Sequence, residues 1–485
     1  MISSPLVEEN DEVPSFSKLP FMKKLPYMKD LLKNSLPTLA AFLTPVFTTL
    51  VSLYFLANYN DDKLVAGYGL GSMFSNTFGS SWVYSFNQAM NVFISQAFGA
   101  QDYDACGRYL RRNIIILGFL FIPLGICLIT ADKLMILFGV EEELATLGGI
   151  FTKLSLPFMI GAGLFDSMKS FIIGQKVFQP IFYIQVITFC LHVLWSKLFI
   201  DYFRLGIEGT IICRTLEEWA NTIMIYFYIK FSGKFEKTWG AWTKDLFNFK
   251  EMWKQFKFTT SISLISYIQW IVYEVLTIIA GNFDAGQVVV HIAIANTSSI
   301  FFNSTMALSV TLLTFVGNNL GARKLNNAIH YSHAGYTLLF IVPFLFGSMI
   351  WIFLDQWLNF WSSDIETHEI LLQGLKVYVF GCMAVDGINN GMISILKSVG
   401  KEKQTILSIL GSYYLIGVPL IMLFAFVFHL KVVGIWLAFG IANYFLCIYN
   451  VISINKLDWI KVQRDVLEKL QSQEDIKEQE LQQLI

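Results

Sequence analysis

Residues 95–101, Ser-Gln-Ala-Phe-Gly-Ala-Gln, return in altered form at residues 317–323 as Gly-Asn-Asn-Leu-Gly-Ala-Arg, about 222 residues later. Each stretch closes an apolar run and leads into a basic one. Asp166 and Asp386 also correspond at a similar offset. The chain therefore reads as two related halves in the same orientation. In membrane transporters such a parallel repeat implies a pseudo-twofold axis along the membrane normal, with the binding site between the halves.

Composition supports a membrane setting. Of the 485 residues, 55% are hydrophobic, 16% aromatic and only 15% charged, where a soluble domain carries about 25% charged residues. A membrane helix needs ~20 mostly apolar residues. Twelve runs qualify, near 36–57, 64–95, 112–131, 146–172, 180–202, 205–230, 259–283, 286–316, 330–354, 369–397, 404–428 and 431–454. Cytoplasmic loops collect lysine and arginine, and with the N-terminus inside, 26 of them fall on that side, including Lys397, Lys401 and Lys403. Lys63, Lys133, Arg204 and Lys431 are the four on the other. The fold class is thus an all-α polytopic membrane protein, with twelve transmembrane helices in two pseudo-symmetric six-helix bundles and both termini cytoplasmic.

The domain reading follows from those spans. Residues 1–35 form a cytoplasmic tail, 36–230 the first six-helix lobe and 231–258 a cytoplasmic linker. Residues 259–455 form the second lobe and 456–485 a cytoplasmic amphipathic tail, with Leu457, Ile460, Val466, Leu467 and Leu470 at helical spacing. Trp239, Trp242 and Trp253 among the linker lysines suit the headgroup layer. No short apolar segment with a small-residue cleavage site opens the chain, so no cleaved signal peptide is expected. Six scattered cysteines, none in a CxxC pair, argue against a disulfide framework or a zinc site. A net charge of -1 offers no footing for nucleic-acid binding.

The motif pair resembles the half-repeat signatures of the multidrug and toxic compound extrusion (MATE) transporters, in their eukaryotic form. Gln96 and Gly99 in the first half and Gly321 in the second carry it. So do Gln175 with Pro180 opening the fifth span, and Tyr273-Glu274 in the seventh. Asp386 and the Lys397-Ser-Val-Gly400 run, Gly417-Val-Pro419 and Gly434-Ile-Trp436 follow in order, so the resemblance covers roughly residues 33–455. It implies a secondary efflux transporter, not an enzyme, working by alternating access. Such a transporter antiports a xenobiotic or metabolite, with a cation favoured, against protons, sodium being the alternative coupling ion. It implies no cofactor and no metal. The partners are a small organic solute and the lipid bilayer, with no nucleic acid, the chain acting as a monomer in the plasma membrane or a vacuolar or endosomal membrane. Prokaryotic relatives carry an Asp where this chain has Ser52, and many members an acid where it has Asn91, so the first half is poorly equipped for ion coupling. A lipid or oligosaccharide flippase of the same superfamily is the rival reading, and it would want a basic cavity. A membrane-embedded enzyme is a weaker one, since no His/Asp set or HExxH motif is present.

Charges within spans cost several kcal/mol and mark function by default. Glu274 lies amid apolar residues and Asp386 in Val-Asp-Gly-Ile-Asn389-Asn390-Gly. Apolar surroundings favour the neutral carboxyl, so a proton and a cationic solute would compete for it. Glu274 and Asp386 are read as partners sharing or relaying the proton. Tyr267, Trp270 and Tyr273, spaced i, i+3 and i+6, would line a solute cavity with Phe301, Phe302, Asn389 and Asn390, since aromatic faces attract organic cations. Asp166 with Lys169 at i+3 reads equally as a structural ion pair or a transport group. Arg214, Glu217 and Glu218 read as an internal ion-pair cluster, and His192 and His291 as hydrogen-bonding packing residues. The sequons at Asn296 and Asn303 lie inside a span and are discounted.

Overall fold

The computed structural model describes residues 20–59, 61–361 and 364–470. The tail segments 1–19 and 471–485, with the readings made for them, lie outside the described residues. Twelve long helices order the described chain. They are α1 (Phe21–Ala57), α2 (62–99), α3 (Tyr103–Ile129), α4 (Glu142–Gly174), α5 (Gln179–Tyr202) and α6 (Gly206–Phe231) in the first lobe. The second lobe holds α7 (Phe249–Ala280), α8 (Ala285–Gly321), α9 (Leu325–Ile352), α10 (Ile365–Ser398), α11 (Glu402–Val427) and α12 (Lys431–Asn455). Ten of them are long and apolar enough to cross a membrane. The other two, α2 and α6, fall short because each turns a polar face into the protein: Asn87, Asn91 and Ser95 on one, Glu217, Glu218 and Asn221 on the other. A wide turn over Asn76–Ser80 also interrupts α2.

The outer faces are apolar. On α9, Phe340, Phe344, Leu345, Met349 and Ile352 are exposed, and on α3, Phe119, Ile122, Ile126 and Ile129. In water these stripes would be an aggregation hazard; against lipid tails they cost nothing. The innermost helix is α8, with 83% of its apolar window buried against 33% for α1.

The repeat is written in the backbone as well as in the sequence. Helices α2, α4, α8 and α10 all end in the same left-handed turn, at Gln101, Lys176, Arg323 and Gly400. In each, the next amide reaches back to the last full turn: Asp102 N to Ala97 O (3.0 Å), Val177 N to Ile172 O (3.0 Å), Lys324 N to Asn319 O (2.8 Å) and Lys401 N to Leu396 O (2.9 Å). This 6→1 bond satisfies carbonyls that a helix end leaves orphaned. All four turns lie on the side of the membrane that holds the start of α1 and the end of α12, here the terminal side.

The two lobes share their largest core on that side, with smaller shared clusters at mid-depth around Phe42 and Met306 and around Val92 and Leu313. One apolar cluster there unites Met28, Leu31, Ile94 and Phe171 with Leu312, Val316, Leu320 and Ile395. On the far side each lobe keeps its own: Phe74, Leu128, Met135 and Met159 in the first, Leu276, Val290, Leu375 and Ile435 in the second. Most hydrogen bonds between lobes follow the same division, Tyr267 Oη to Thr77 O (3.3 Å), farther out along α2, being an exception. Asn91 Nδ2 donates to Thr314 Oγ1 (3.0 Å), Gln96 Nε2 to Ser398 O (2.9 Å) and Asn318 Nδ2 to Gly174 O (2.9 Å). The lobes thus meet at the terminal side and part toward the other, like a V.

Several boundaries differ from the sequence reading. Helix α1 begins at Phe21 rather than near residue 36, and α7 at Phe249 rather than near 259. Both extend past the ~20 residues a bilayer demands, because their charged ends pack on protein: Tyr27 Oη donates to Asn327 Oδ1 (3.3 Å), and Glu251 faces Arg112 (3.8 Å). The linker is pinned rather than loose. The Arg111 guanidinium bonds the carbonyls of Trp239 (3.1 Å) and Ala241, while Thr238 Oγ1 donates to Gln175 Oε1 (3.0 Å). Trp242 and Trp253 are exposed, as an interfacial reading expects, but Trp239 packs against Phe171. After α12 a helical stretch over residues 459–470 buries Trp459, Val462, Val466 and Leu470 in the shared cluster, with Leu457 packed against it; of the apolar face expected here, Val466 and Leu470 are buried and Ile460 is exposed.

Glycine is required where the lobes touch. A Cβ on Gly99 would overlap the Asn318 carbonyl, and one on Gly321 the Gln96 carbonyl. Gly321→Leu or Gly99→Leu should therefore cost about 1–3 kcal/mol, as overpacking does, seen as a lowered melting temperature of the purified protein. Gly69→Leu, where a Cβ meets open space, should change it little; equal melting temperatures for all three would contradict the contact.

Candidate functional site

At mid-depth, where the V narrows, α1, α2, α4, α8 and α10 enclose a cavity of about 30 Å³. A water needs roughly 10–15 Å³ by this measure, so the cavity in this state admits water and no organic solute. Its walls are Phe42 and Tyr84, Gln88 and Asn91, the Asp166–Lys169 pair and Lys397. Lys169 and Asp166 are in direct contact on one helix face, and the Lys169 ammonium lies 5.3 Å from the Phe165 ring centroid and 5.7 Å from that of Tyr84. Asp166 thus enters the cavity already paired. Lys397 does not sit in a loop, as the charge count had placed it; it is 3% exposed on α10, with its ammonium on Ser266 Oγ (2.7 Å). The walls carry two cations and one anion, so the carboxylate surplus expected of a cation site is missing from them.

Behind this cavity the first lobe holds a closed polar network. Ser52 on α1 bonds His192 Nε2 on α5 (3.1 Å), and His192 Nδ1 faces Glu217 on α6 (3.0 Å). Arg214 reaches both Glu217 (3.4 Å) and Thr48, and Asn221 Nδ2 donates to Glu218 (3.3 Å). The cluster expected at Arg214, Glu217 and Glu218 exists, and His192, read as a hydrogen-bonding packing residue, makes its contacts within it. Three helices are tied by it.

The second lobe is arranged otherwise. Asp386 is 2% exposed, and its Oδ2 has no hydrogen-bond partner. The phenols of Tyr273, Tyr378 and Tyr413 and the Cys382 thiol lie within electrostatic reach of it. Asn389 does not face a cavity: it donates to Asn443 (3.0 Å to the carbonyl) and accepts from Asn450 (3.2 Å). Tyr413 Oη donates to the same Asn443 (2.9 Å), and Asn390 donates to Thr305 (3.1 Å). Glu274, half-buried on α7, has no ion-pair or hydrogen-bond partner among the described residues. It shares no hydrogen bond with Asp386, so the expected carboxylate pair is not formed here.

The aromatic residues divide. Tyr267 stacks on Trp82 of the first lobe (4.2 Å) and donates to Thr77 O (3.3 Å). Trp270 packs edge-on to Phe302 (6.0 Å) in a cluster that includes Phe42 and Met306, next to the cavity. Tyr273 leans on Phe302 (5.9 Å) and Phe439 (5.4 Å) beside Asp386. Phe301 is fully buried against Phe346 (5.5 Å) and belongs to the core of the second lobe, not to a cavity wall. Of the motif residues, Gln96, Gly99 and Gly321 build the contact between lobes, Gln175 holds the linker, and Pro180 sits in the first turn of α5. Those five stay out of the cavity wall, which of the motif residues only Lys397 enters.

The family model described as MatE matches residues 37–197 and again 262–423, once per lobe and about as far apart as the internal repeat. This chain belongs to the MATE family. The eukaryotic form fits as well. Protein DETOXIFICATION 16 of Arabidopsis thaliana is 24% identical over 404 residues, 83% of this chain and 82% of its own length. The multidrug and toxin extrusion protein 1 of Danio rerio is 23% identical over 90% of this chain and 74% of its own. The crystal structure of the eukaryotic MATE transporter AtDTX14 superposes with a TM-score of 0.86 at 19% identity, covering 92% of this chain and 99% of that one. The chain is a multi-pass efflux transporter with the MATE fold, not an enzyme.

Removing one partner from a buried charge network leaves the others unpaired, at about 3–5 kcal/mol. Glu217→Ala should therefore lower the melting temperature of the detergent-purified protein well below that of Asp166→Ala, whose partner Lys169 borders the cavity. The reverse order would contradict the network.

Proposed function

We propose that this MATE transporter exports a small organic solute in exchange for protons, by rocking its two lobes about the α2–α8 contact. The observation that carries the reading is Asp386: a carboxyl group buried in a membrane lobe, with no cation beside it and one oxygen unbonded. Such a group is costly when charged and cheap when protonated. Glu274, half-buried and unpaired, is the second group able to take up a proton on the same lobe. Ser52, which stands where prokaryotic relatives have an Asp, is bound to His192, in keeping with a coupling site in the second lobe.

The lysines and arginines cluster on the terminal side, which makes that side cytoplasmic by the positive-inside tendency. The V then opens outward. In this state protons from outside reach Asp386 and neutralise it. Loss of the buried charge lowers the cost of closing the second lobe around it, and closure outside opens the cytoplasmic side. Solute entering from the cytoplasm and departure of the proton bring the lobes back. Coupling of this kind requires only that both ligands bias one two-state element in opposite directions. The protein acts as a monomer, in the plasma membrane or a vacuolar or endosomal membrane. Sodium would need several oxygens gathered around Asp386, and none bonds it here, which favours the proton.

Asp386→Asn imitates the protonated state. In proteoliposomes it should abolish solute accumulation driven by a pH gradient while keeping gradient-free exchange of solute across the membrane. Undiminished gradient-driven accumulation would remove Asp386 from the coupling step.

A further inference from the structure

The cavity between the lobes is short of acceptors. Lys397 is enclosed, and Ser266 Oγ is its one hydrogen-bond partner. Among the described residues Lys397 has no ion-pair partner, the nearest wall carboxylate, Asp166, being taken by Lys169. Ser266 Oγ in turn donates to Gln88 Oε1 (3.0 Å), so α10, α7 and α2 form a chain of donors that ends at the Gln88 amide. Gln88 Nε2 and Tyr84 Oη lie side by side and buried; their mutual contact is too poorly aligned to close a hydrogen bond, and neither has another partner among the described residues. All three groups line one cavity. The charges facing it are Lys397, Lys169 and Asp166, and the last two neutralise each other.

A lone ammonium enclosed in a membrane protein carries a desolvation cost of several kcal/mol unless a counter-charge meets it. Orphaned donors add to that cost. An oxyanion removes both at once, since a carboxylate, sulfonate or phosphate group offers negative charge and several acceptor lone pairs. A quaternary or protonated amine would meet a net positive wall and would leave the donors unpaired.

We propose that the solute of this transporter is an organic anion, whose oxyanion group binds between Lys397, Gln88 Nε2 and Tyr84 Oη while its apolar part lies against Phe42. This rests on the transport reading above, and it replaces the organic cation that the family resemblance favours. A free aromatic carboxylate and a phospholipid headgroup would present the same oxyanion. The cavity has walls on five helices, and Phe42 and Met306 on its wall belong to a cluster shared by both lobes, which fits a compact soluble anion better than a two-tailed lipid.

The test uses the full-length protein in proteoliposomes with no ion gradient, where exchange depends on binding and rocking and not on proton coupling. Radiolabelled p-aminohippurate, benzenesulfonate, phenyl phosphate, tetraethylammonium and a short-chain fluorescent phosphatidylserine are the probes. An aromatic oxyanion should exchange and tetraethylammonium should not. Lys397→Gln should slow anion exchange by roughly ten- to a hundredfold, the range of a lost charge-assisted hydrogen bond, and Lys397→Arg should retain most of it. Gln88→Glu guards against a folding defect: it gives Lys397 an internal counter-charge, so it should purify with an unchanged elution profile and still suppress anion exchange at least about tenfold. Exchange of tetraethylammonium in preference to all three anions would overturn the proposal. So would unchanged anion exchange in Lys397→Gln, exchange of no oxyanion at all, or movement of the phosphatidylserine probe alone. If anions exchange but a pH gradient fails to concentrate them, proton coupling falls and the substrate class stands.

Discussion

Two helices from opposite lobes cross with almost nothing between their backbones: Gly99 lies on Asn318, and Gly321 on the last turn of α2. Contact this close needs glycine on both sides, because any side chain would part the helices. Because the two contacts are related by the internal repeat, they act as one pivot. The flanking amides of Gln96 and Asn318 cross the interface from either side to carbonyls at the ends of α10 and α4. Those carbonyls belong to the left-handed turns that all four repeat-related helices share. In this state the contact holds the lobes together at the terminal end while they part at the other, and opening the terminal side requires the Gln96 and Asn318 bonds to release.

Below the pivot's constraint, the two lobes manage buried charge in opposite ways. In the first lobe Ser52, His192, Glu217, Arg214 and Thr48 are linked across α1, α5 and α6. A network of this kind pairs charge with charge and suits a rigid lobe. In the second lobe Asp386 is left with phenols and a thiol around it and no cation. A carboxyl so placed is sensitive to a single proton. Between them lies Lys397, a cation on a serine hydroxyl with no ion-pair partner among the described residues. Two unpaired groups of opposite sign at different places invite two different ligands, a proton at one and an oxyanion at the other.

Much of the frame was legible in the sequence, and the reason is physical. Lipid exposure forces long apolar runs, and the loop charges orient them, so twelve helices could be counted although α2 and α6 are too polar to qualify by apolarity alone. The repeat showed itself because backbone contact at Gly99 and Gly321 tolerates little substitution. What sequence could not show was pairing across distance. His192 looked isolated because its partners lie on α1 and α6. Lys397 looked like a loop residue because it stands only a turn from the end of α10, among Lys401 and Lys403. Its burial against Ser266 and its opening toward Gln88 depend on how α7 and α2 pack. Phe301 and Asn389 had the right composition for a cavity and sit in solid core instead, since helix spacing alone does not say which side of a helix faces a void. Glu274 and Asp386 were joined by their chemistry, but α7 and α10 do not bring them together in this state.

The account stands on the lobes rocking about the α2–α8 contact under control of a proton on Asp386. The most direct test is a pair of distance measurements by spin labels in lipid nanodiscs, one between Lys234 and Lys456 at the terminal side and away from the glycine contact, the other between Lys63 and Asn282 at the opposite side. From neutral to acidic pH the first distance should lengthen and the second shorten, and Asp386→Asn should show the acidic pattern at neutral pH. Distances that ignore pH and the substitution alike, or that change together in the same direction, would contradict it.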